Sequence, residues 1–129
     1  MSSNFIEITN VSREYLIGEQ KYKALDKISL TIKRGELVVI LGPSGAGKST
    51  LLNILGGMDS PTSGKVEVDG REISKYSSKQ LTKYRAEKVG FIFQFYNIMP
   101  TLTTEENVKI IEDVSTTEKD ASEVLKSVG

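Results

Sequence analysis

Four residues near the middle of the chain have the types and the spacing of a phosphate-binding loop. They are Gly42, Gly47, Lys48 and Ser49, which occupy every fixed position of the pattern G-x-x-x-x-G-K-[ST]. Glycines permit positive φ angles and a close approach of the backbone to a ligand. The Lys48 ammonium is expected to reach the β and γ phosphates of a nucleotide, and the Ser49 hydroxyl to coordinate Mg²⁺. The alternative, a plain turn between a strand and a helix, requires neither side chain.

The residues on either side of this loop predict the elements that position it. Residues 37–41 (LVVIL) form an unbroken apolar run, which is typical of a buried strand in a parallel sheet. After the loop, apolar residues recur at helical spacing at Leu51, Leu52, Ile54 and Leu55. A helix that begins here directs its first backbone N–H groups towards a bound phosphate.

Alternating apolar residues predict an antiparallel β layer ahead of the loop. Ile6 and Ile8 alternate with polar residues, and residues 28–32 do the same, so both stretches are expected to be half-buried strands. Residues 17–20 are expected to turn the chain between them, and residues 33–35 to lead into the apolar run.

Beyond the loop helix, turn formers and capping patterns predict shorter elements. Residues 59–64 (DSPTSG) predict a turn, followed by a short strand and hairpin at residues 66–70. Residues 89–93 predict a compact strand whose alternation buries Phe91 and Phe93. Helix starts are predicted by three pairs: Ser77 with Gln80, Thr103 with Glu106, and Thr117 with Asp120. The last helix is expected to have an apolar face of Ala121, Val124, Leu125 and Val128.

Composition excludes several classes of protein. The 129 residues include 38% hydrophobic and 26% charged residues, which is typical of a soluble globular domain. Seventeen basic residues balance seventeen acidic ones, so nucleic acid is not an expected partner. Cysteine is absent, which excludes disulfides and thiolate metal sites, and histidine is absent as well. The longest apolar run has five residues, far short of the roughly 20 that span a bilayer.

Together these segments resemble the ATP-binding subunit of ABC transporters, in particular the branch that powers lipoprotein release and macrolide export. Residues 24–70 and 81–108 carry the resemblance, which covers nearly the whole chain. It implies an α/β fold with a truncated P-loop (RecA-like) nucleotide-binding core, an N-terminal antiparallel β subdomain and the start of an α-helical subdomain. Residues 1–93 are then expected to form the β subdomain and P-loop core, and residues 94–129 the Q-loop and the beginning of the helical subdomain.

The resemblance also implies roles for single residues. Tyr15 corresponds to the aromatic residue that stacks on adenine, although alone it reads as an ordinary strand-end tyrosine. Gln94 corresponds to the Q-loop glutamine that reaches Mg²⁺ and the attacking water, so it joins Lys48 as a catalytic residue and Ser49 as a metal ligand. The expected ATP-binding set is Tyr15, Gly42, Pro43, Ser44, Gly45, Ala46, Gly47, Lys48, Ser49 and Thr50.

Other motifs of the family are missing from the sequence. There is no Ser-Gly-Gly of the LSGGQ signature and no switch histidine. Residues 108–113 end in two acids, but Lys109 interrupts the run and a capping pattern precedes it, so a Walker B strand is rejected. We therefore expect a truncated chain that binds Mg-ATP with little or no hydrolysis, because a water-positioning residue is also required.

The expected partners follow from the same resemblance. They are nucleotide, a transmembrane permease subunit contacted near residues 95–100, and a second ATP-binding subunit, at the cytoplasmic face of the cell membrane. Self-association is also expected, through an open edge at residues 37–41 or the exposed apolar face of the loop helix. Two alternatives stay open: another P-loop enzyme such as a small kinase or GTPase, and a non-catalytic remnant that docks on a membrane subunit.

Overall fold

A computed structural model describes residues 4–93, 98–112 and 120–129. The chain divides into two compact units, Met1–Thr82 and Lys83–Gly129. The first unit contains the sheet and the glycine-rich loop, and the second contains the helices of the C-terminal third.

Two long antiparallel strands form the frame of the first unit. Strand β1 spans Asn4–Ile17 and strand β2 spans Gln20–Lys33, and a two-residue turn joins them. Gly18 begins that turn at φ 65°, a conformation that glycine adopts without steric cost. The predicted strands and turn are confirmed, and both strands extend well beyond the segments that alternation identified.

Bulges in this hairpin are held by serine hydroxyls. Asn10 and Lys27 have φ angles of 49° and 47°, and the strand register shifts between Ile8 and Val11. The Asn10 N–H donates to Ser29 Oγ and the Lys27 N–H to Ser12 Oγ, each over 2.9 Å. The hydroxyls therefore satisfy amide groups where the irregular register interrupts the ladder.

A second hairpin extends the sheet on the other side of β1. Strand β3 spans Ser63–Val68 and strand β4 spans Arg71–Glu72, which gives the strand order β2-β1-β3-β4. The connecting Asp69 and Gly70 have φ angles of 51° and 76°, as expected of an Asp-Gly hairpin turn. The predicted short strand and hairpin are confirmed.

The core of the first unit lies under this sheet. Ile8 in β1 is opposite Leu30 on one side and Val66 on the other, so an apolar row crosses three strands. The first helix, α1 (Lys48–Leu55), contacts β2 and buries two of its side chains. The buried apolar residues of this unit are Ile8, Val11, Leu25, Leu51, Ile54, Val66, Val68 and Ile73.

A capping box begins helix α2 (Ser78–Lys88), which follows a 3₁₀ turn at Ile73–Lys75. The Ser77 N–H donates to Gln80 Oε1 over 2.8 Å, and the Gln80 N–H donates to Ser77 Oγ over 3.3 Å. Each side chain therefore satisfies a backbone donor of the other residue. The predicted helix start is confirmed.

Two apolar segments that predicted strands are not strands. Residues 37–41 have no strand assignment, and Leu37, Val39 and Leu41 are 93%, 72% and 87% exposed. The prediction of a buried strand here was wrong. A buried parallel strand needs a hydrogen-bonded neighbour on each side, and no described strand pairs with this segment. The apolar composition of residues 37–41 favours burial, but a strand also requires partner strands, which the composition does not determine.

Residues 89–93 also lack a strand assignment, so that prediction was wrong in its secondary structure. Its side-chain alternation was correct. Phe91 and Phe93 are half-buried with ring centroids 4.5 Å apart, whereas Ile92 is 92% exposed. The aromatic pair packs without a neighbouring strand because ring contact requires no backbone ladder.

The second unit contains helices α3 (Thr104–Glu112) and α4 (Ala121–Val128), which contact each other. Residues 108–112 lie within α3, so the rejection of a Walker B strand is confirmed. In α4, Ala121 is buried, but Val124 and Val128 are 37% and 79% exposed. The predicted apolar face is therefore only partly covered. Thr117, the first residue of the predicted cap, lies outside the described residues.

The start of α3 is expected to depend on pH. The Thr103 N–H donates to Glu106 Oε1 over 3.0 Å, and the Glu106 N–H donates to Thr103 Oγ1 over 3.1 Å. Bonding from the Thr103 backbone, and then from its side chain, lowers the pKa of Glu106. A lowered pKa in the folded state means that this stabilisation is present above the unfolded-state pKa of glutamate. It is lost as the pH falls through the folded-state pKa.

The Thr103 amide resonance measures this dependence in an NMR titration. We expect it to move as the pH falls through the Glu106 pKa, because protonation weakens the hydrogen bond that Thr103 donates. In Glu106→Gln the cap is retained without the titrating group, so the same movement should disappear. An identical titration in both proteins would contradict the assignment.

Candidate functional site

The glycine-rich loop leads directly into helix α1. Gly47 is the N-cap of this helix at φ 91°, and Gly45 has φ 82°. Within the loop, the Ala46 N–H donates to the Pro43 carbonyl over 3.2 Å, and the Leu51 N–H starts the helix by donating to the Gly47 carbonyl over 2.9 Å. The predicted helix after the loop is therefore confirmed, and its N-terminus opens onto the loop.

Residue 47 must be glycine because of its close contact with β2 as well as its backbone conformation. A Cβ atom at this position would lie 2.4 Å from the Ala24 carbonyl oxygen and 2.9 Å from Leu25 Cδ2. The contact with the backbone oxygen of Ala24 is incompatible with a Cβ atom, and the left-handed φ independently favours glycine. The backbone of the loop is therefore seated on β2 at the point where the helix begins.

The Lys48 ammonium lies over the loop carbonyls. It donates to the carbonyl oxygens of Gly42 and Pro43, the latter over 2.9 Å. Lys48 is half-buried, while Ser49 beside it is exposed. The loop therefore brings together a positive charge, the backbone amides of a helix start and an accessible hydroxyl. This combination suits a polyphosphate, since ammonium and amide groups donate to phosphate oxygens.

The Ser49 hydroxyl is among the oxygen atoms of the described residues that have the chemistry of a magnesium ligand. Ser49 directly follows Lys48 in the sequence and carries a neutral hydroxyl oxygen, and Mg²⁺ prefers oxygen ligands together with water and substrate phosphates. Among residues 4–93, 98–112 and 120–129, no group of three or more acidic, histidine or cysteine side chains could hold a metal ion.

Tyr15, the predicted adenine-stacking residue, is held by two neighbours. Its hydroxyl donates to Asp59 Oδ2 over 2.7 Å, and the Arg13 guanidinium carbon lies 4.5 Å from its ring centroid. Arg13 also binds Asp59 through Nε and Nη2, each over 3.0 Å. The contact with Tyr15 raises the pKa of Arg13, burial opposes this, and the Asp59 carboxylate adds to it. One face of the tyrosine ring is therefore covered by a cation.

Removing this cation should destabilise the first unit. We expect Arg13→Ala to lower the free energy of unfolding by about 1 kcal/mol. This is the upper end of the stabilisation measured for ion pairs near a surface, and it applies here because Arg13 and Asp59 form two bonds and their side chains are only about a quarter exposed. Urea unfolding measures the change. Lys83→Ala is the matched control, since Lys83 is 77% exposed and reaches Glu87 only at 4.0 Å. Equal effects of the two substitutions would contradict the expectation.

Tyr22 contacts the loop, although the sequence analysis did not select it. Its hydroxyl donates to the Gly45 carbonyl over 3.2 Å, and Tyr22 is the register partner of Tyr15 across β1 and β2. The signal available in the sequence was an aromatic residue placed just after the turn. It could not be interpreted without the register of the hairpin.

Asn107 in α3 holds the segment that follows the predicted Q-loop. Its side-chain amide donates to the carbonyls of Met99, Leu102 and Thr103 over 3.2, 3.3 and 2.9 Å. The Met99 N–H in turn donates to Asn107 Oδ1 over 2.8 Å. One side chain therefore fixes the shape of residues 98–103, a role that a lone asparagine in a sequence does not reveal.

The predicted site residues divide into three groups. Gly42 to Thr50 form one continuous loop and helix start, and Tyr15 lies on β1 bonded to Asp59. Gln94, the predicted catalytic and metal-binding glutamine, lies outside the described residues, as do residues 95–97.

None of the helices in the described ranges is both long and apolar enough to cross a membrane.

Comparison with protein families and curated proteins gives consistent matches. The profile of the ABC transporter family matches residues 25–129. An uncharacterized ABC transporter ATP-binding protein from Thermotoga maritima is 48% identical over 105 residues, which cover 81% of this chain and 45% of that protein. The macrolide export ATP-binding/permease protein MacB from Mannheimia succiniciproducens is 44% identical over 131 residues, covering 98% of this chain and 20% of the relative.

Solved structures show the same relationship. The dimeric post-hydrolysis state of the ATP-binding cassette MJ0796, bound to ADP and Pi, superposes with a TM-score of 0.83 at 41% identity. The match covers 92% of this chain and 51% of that one. MJ0796 is a protein of Methanocaldococcus jannaschii. The fold is thus that of an α/β cassette, and the chain spans about half the length of this structure and of the first curated relative.

Proposed function

This chain belongs to the ABC transporter family, and from that premise we propose that it is the ATP-binding part of a transporter. Mg-ATP binds at residues 42–50. The observation that carries this proposal is the Lys48 ammonium bonded over the Gly42 and Pro43 carbonyls, at a helix start capped by left-handed Gly47. A bound triphosphate offers that ammonium oxygen acceptors of higher charge than the loop carbonyls.

The other contacts of the nucleotide follow from the placement of the loop. Ser49 binds Mg²⁺, and Thr50 and the amides of residues 45–47 contact phosphates. The metal ion, when bound, neutralises charge on the β and γ phosphates. Tyr15 stacks on adenine with the ring face opposite Arg13, and its bond to Asp59 keeps the ring in place. Gln94 would help Ser49 to hold the metal ion and would also reach the attacking water.

Turnover by this chain alone is expected to be slow. Phosphoryl transfer to water needs charge neutralisation and also a group that orients or deprotonates the water. Lys48 and the loop amides supply the first requirement. The sequence contains no LSGGQ signature and no histidine, so the second requirement is met at most by Gln94.

The proposed partners are a permease subunit and a second ATP-binding subunit. Residues 95–100 contact the permease, and in the described part of this segment Ile98 and Met99 are 64% and 54% exposed while Asn107 fixes the backbone. The chain then works at the cytoplasmic face of the membrane, with residues 1–93 as the β subdomain and P-loop core and residues 94–129 as the Q-loop and the beginning of the helical subdomain. The dimeric MJ0796 structure supports a second subunit.

Self-association of this chain is proposed to use residues 37–41. Leu37, Val39 and Leu41 are exposed and no described strand pairs with this segment, and an apolar run without strand partners pairs readily with another strand. We expect the weight-average mass in sedimentation to rise with concentration, and Val39→Lys to reduce that rise. A compact monomer at every concentration would contradict this use of the segment.

Titration with a fluorescent ATP analogue in the presence of Mg²⁺ tests the proposed function. We expect saturable binding that unlabelled ATP competes away, together with phosphate release close to background. Absence of saturable binding would contradict the proposal, and rapid turnover would contradict the view that the hydrolytic groups are incomplete.

A further inference from the structure

The Tyr22 hydroxyl is bonded to a peptide unit of the loop that is also bonded through its N–H group. This hydroxyl donates to the Gly45 carbonyl over 3.2 Å. The N–H of the same peptide unit belongs to Ala46 and donates to the Pro43 carbonyl, also over 3.2 Å. Because a trans peptide is planar, its C=O and N–H point in opposite directions. The unit between Gly45 and Ala46 is therefore held from both sides.

This restraint matters because the backbone has little other resistance to rotation there. Gly45 has φ 82°, and a Cβ atom built on it would meet nothing within 4 Å. Gly45 itself adds no side-chain restraint, and glycine adopts many backbone conformations at similar cost, so the two hydrogen bonds are the contacts that hold this peptide. The next peptide units along the loop carry the N–H groups of Gly47 and Lys48. Their direction follows from the orientation of the peptide before them.

Strand β2 provides a rigid base for this contact. Tyr22 and Ala24 lie two residues apart on β2, and a Cβ atom on Gly47 would lie 2.4 Å from the Ala24 carbonyl oxygen. The strand thus contacts the loop at Gly45 through a side chain and at Gly47 through its backbone. Tyr15, the register partner of Tyr22, is bonded to Asp59 instead.

We infer that Tyr22 is a positioning residue for phosphate binding: its hydroxyl fixes the Gly45–Ala46 peptide, so that the N–H groups of Gly47 and Lys48 that follow it face the nucleotide before it arrives. This inference rests on the proposed function. Preorganisation of this kind raises affinity because less of the interaction free energy is spent on ordering the loop. The effect concerns the phosphates and not the base, since the contact is to the loop backbone.

Tyr22→Phe tests the inference, with Tyr76→Phe as the control that makes the same chemical change away from the loop. We expect Tyr22→Phe to weaken binding of Mg-ATP about fivefold, the factor that corresponds to one ordinary hydrogen bond. Inorganic tripolyphosphate, measured by displacement of the fluorescent analogue, should weaken by the same factor. The Ala46 amide should exchange its hydrogen faster, while any fall in the melting temperature stays within the few degrees that one hydrogen bond accounts for.

The outcomes separate this inference from the proposed function. If the unsubstituted chain binds no nucleotide, the proposed function fails first. If it binds and Tyr22→Phe matches Tyr76→Phe, the positioning role is wrong. Weaker binding of ATP with unchanged binding of tripolyphosphate would also overturn the inference, because Tyr22 would then act on the base.

Discussion

Lys48→Ala should weaken Mg-ATP binding by roughly 100-fold, or about 3 kcal/mol. The ammonium is the positive charge bonded within the loop, and hydrogen bonds between charged groups are about twice as strong as neutral ones. Substitution by alanine removes this charge from the expected position of the β and γ phosphates. Isothermal titration calorimetry with Mg-ATP measures the loss.

Two variants control for indirect effects of this substitution. Lys48 also bonds to the Gly42 and Pro43 carbonyls in the free loop, so its removal alters the loop as well as the ligand contact. Lys48→Arg keeps the charge with a different shape and should lose less affinity than Lys48→Ala. Lys83→Ala removes an exposed lysine from the second unit and should bind as the unsubstituted chain does. Unchanged binding by Lys48→Ala would exclude this loop as the phosphate site.

Gly64→Ala should lower the free energy of unfolding by about 3 kcal/mol. Gly64 has φ 93°, and an added Cβ would lie 2.3 Å from the Asn10 carbonyl oxygen and 2.6 Å from Val11 Cα. Both of these are backbone atoms of β1, so no flexible side chain can move aside. Strand β3 would have to separate from β1 near Ser12, where the two strands pair.

Gly70→Ala separates the steric part of this effect from the conformational part. Gly70 also has a positive φ, 76°, but an added Cβ would meet nothing within 4 Å. We expect it to cost only about 1 kcal/mol, which is the strain of the left-handed conformation alone. Urea unfolding followed by circular dichroism compares the two variants. Equal losses would show that contact with β1 does not determine the requirement for glycine at residue 64.

The sequence predicted those parts of the site that depend on local chemistry. The loop and its helix were predicted because Gly47 and Lys48 determine the turn, the cap and the charge within a few residues. The capping boxes at Ser77 and Thr103 were predicted for the same reason, since each needs only a partner three residues away.

What the sequence did not predict depends on distant partners. Residues 37–41 have the composition of a buried strand, yet strand formation requires neighbours that alternation and apolarity do not identify. The contacts of Tyr22 with Gly45 and of Tyr15 with Asp59 span 23 and 44 residues. They follow from the register of the β1–β2 hairpin and from its bulges, which no single segment encodes.

The most direct test of the phosphate site is an amide chemical-shift titration of the ¹⁵N-labelled chain with Mg-ATP. The largest changes should occur at the amides of Gly45, Ala46, Gly47, Lys48 and Ser49, and they should saturate together. Amides of β4 and α4 serve as internal references and should move little. Saturating shifts centred elsewhere, with the loop unaffected, would contradict the account, as would a spectrum that Mg-ATP leaves unchanged.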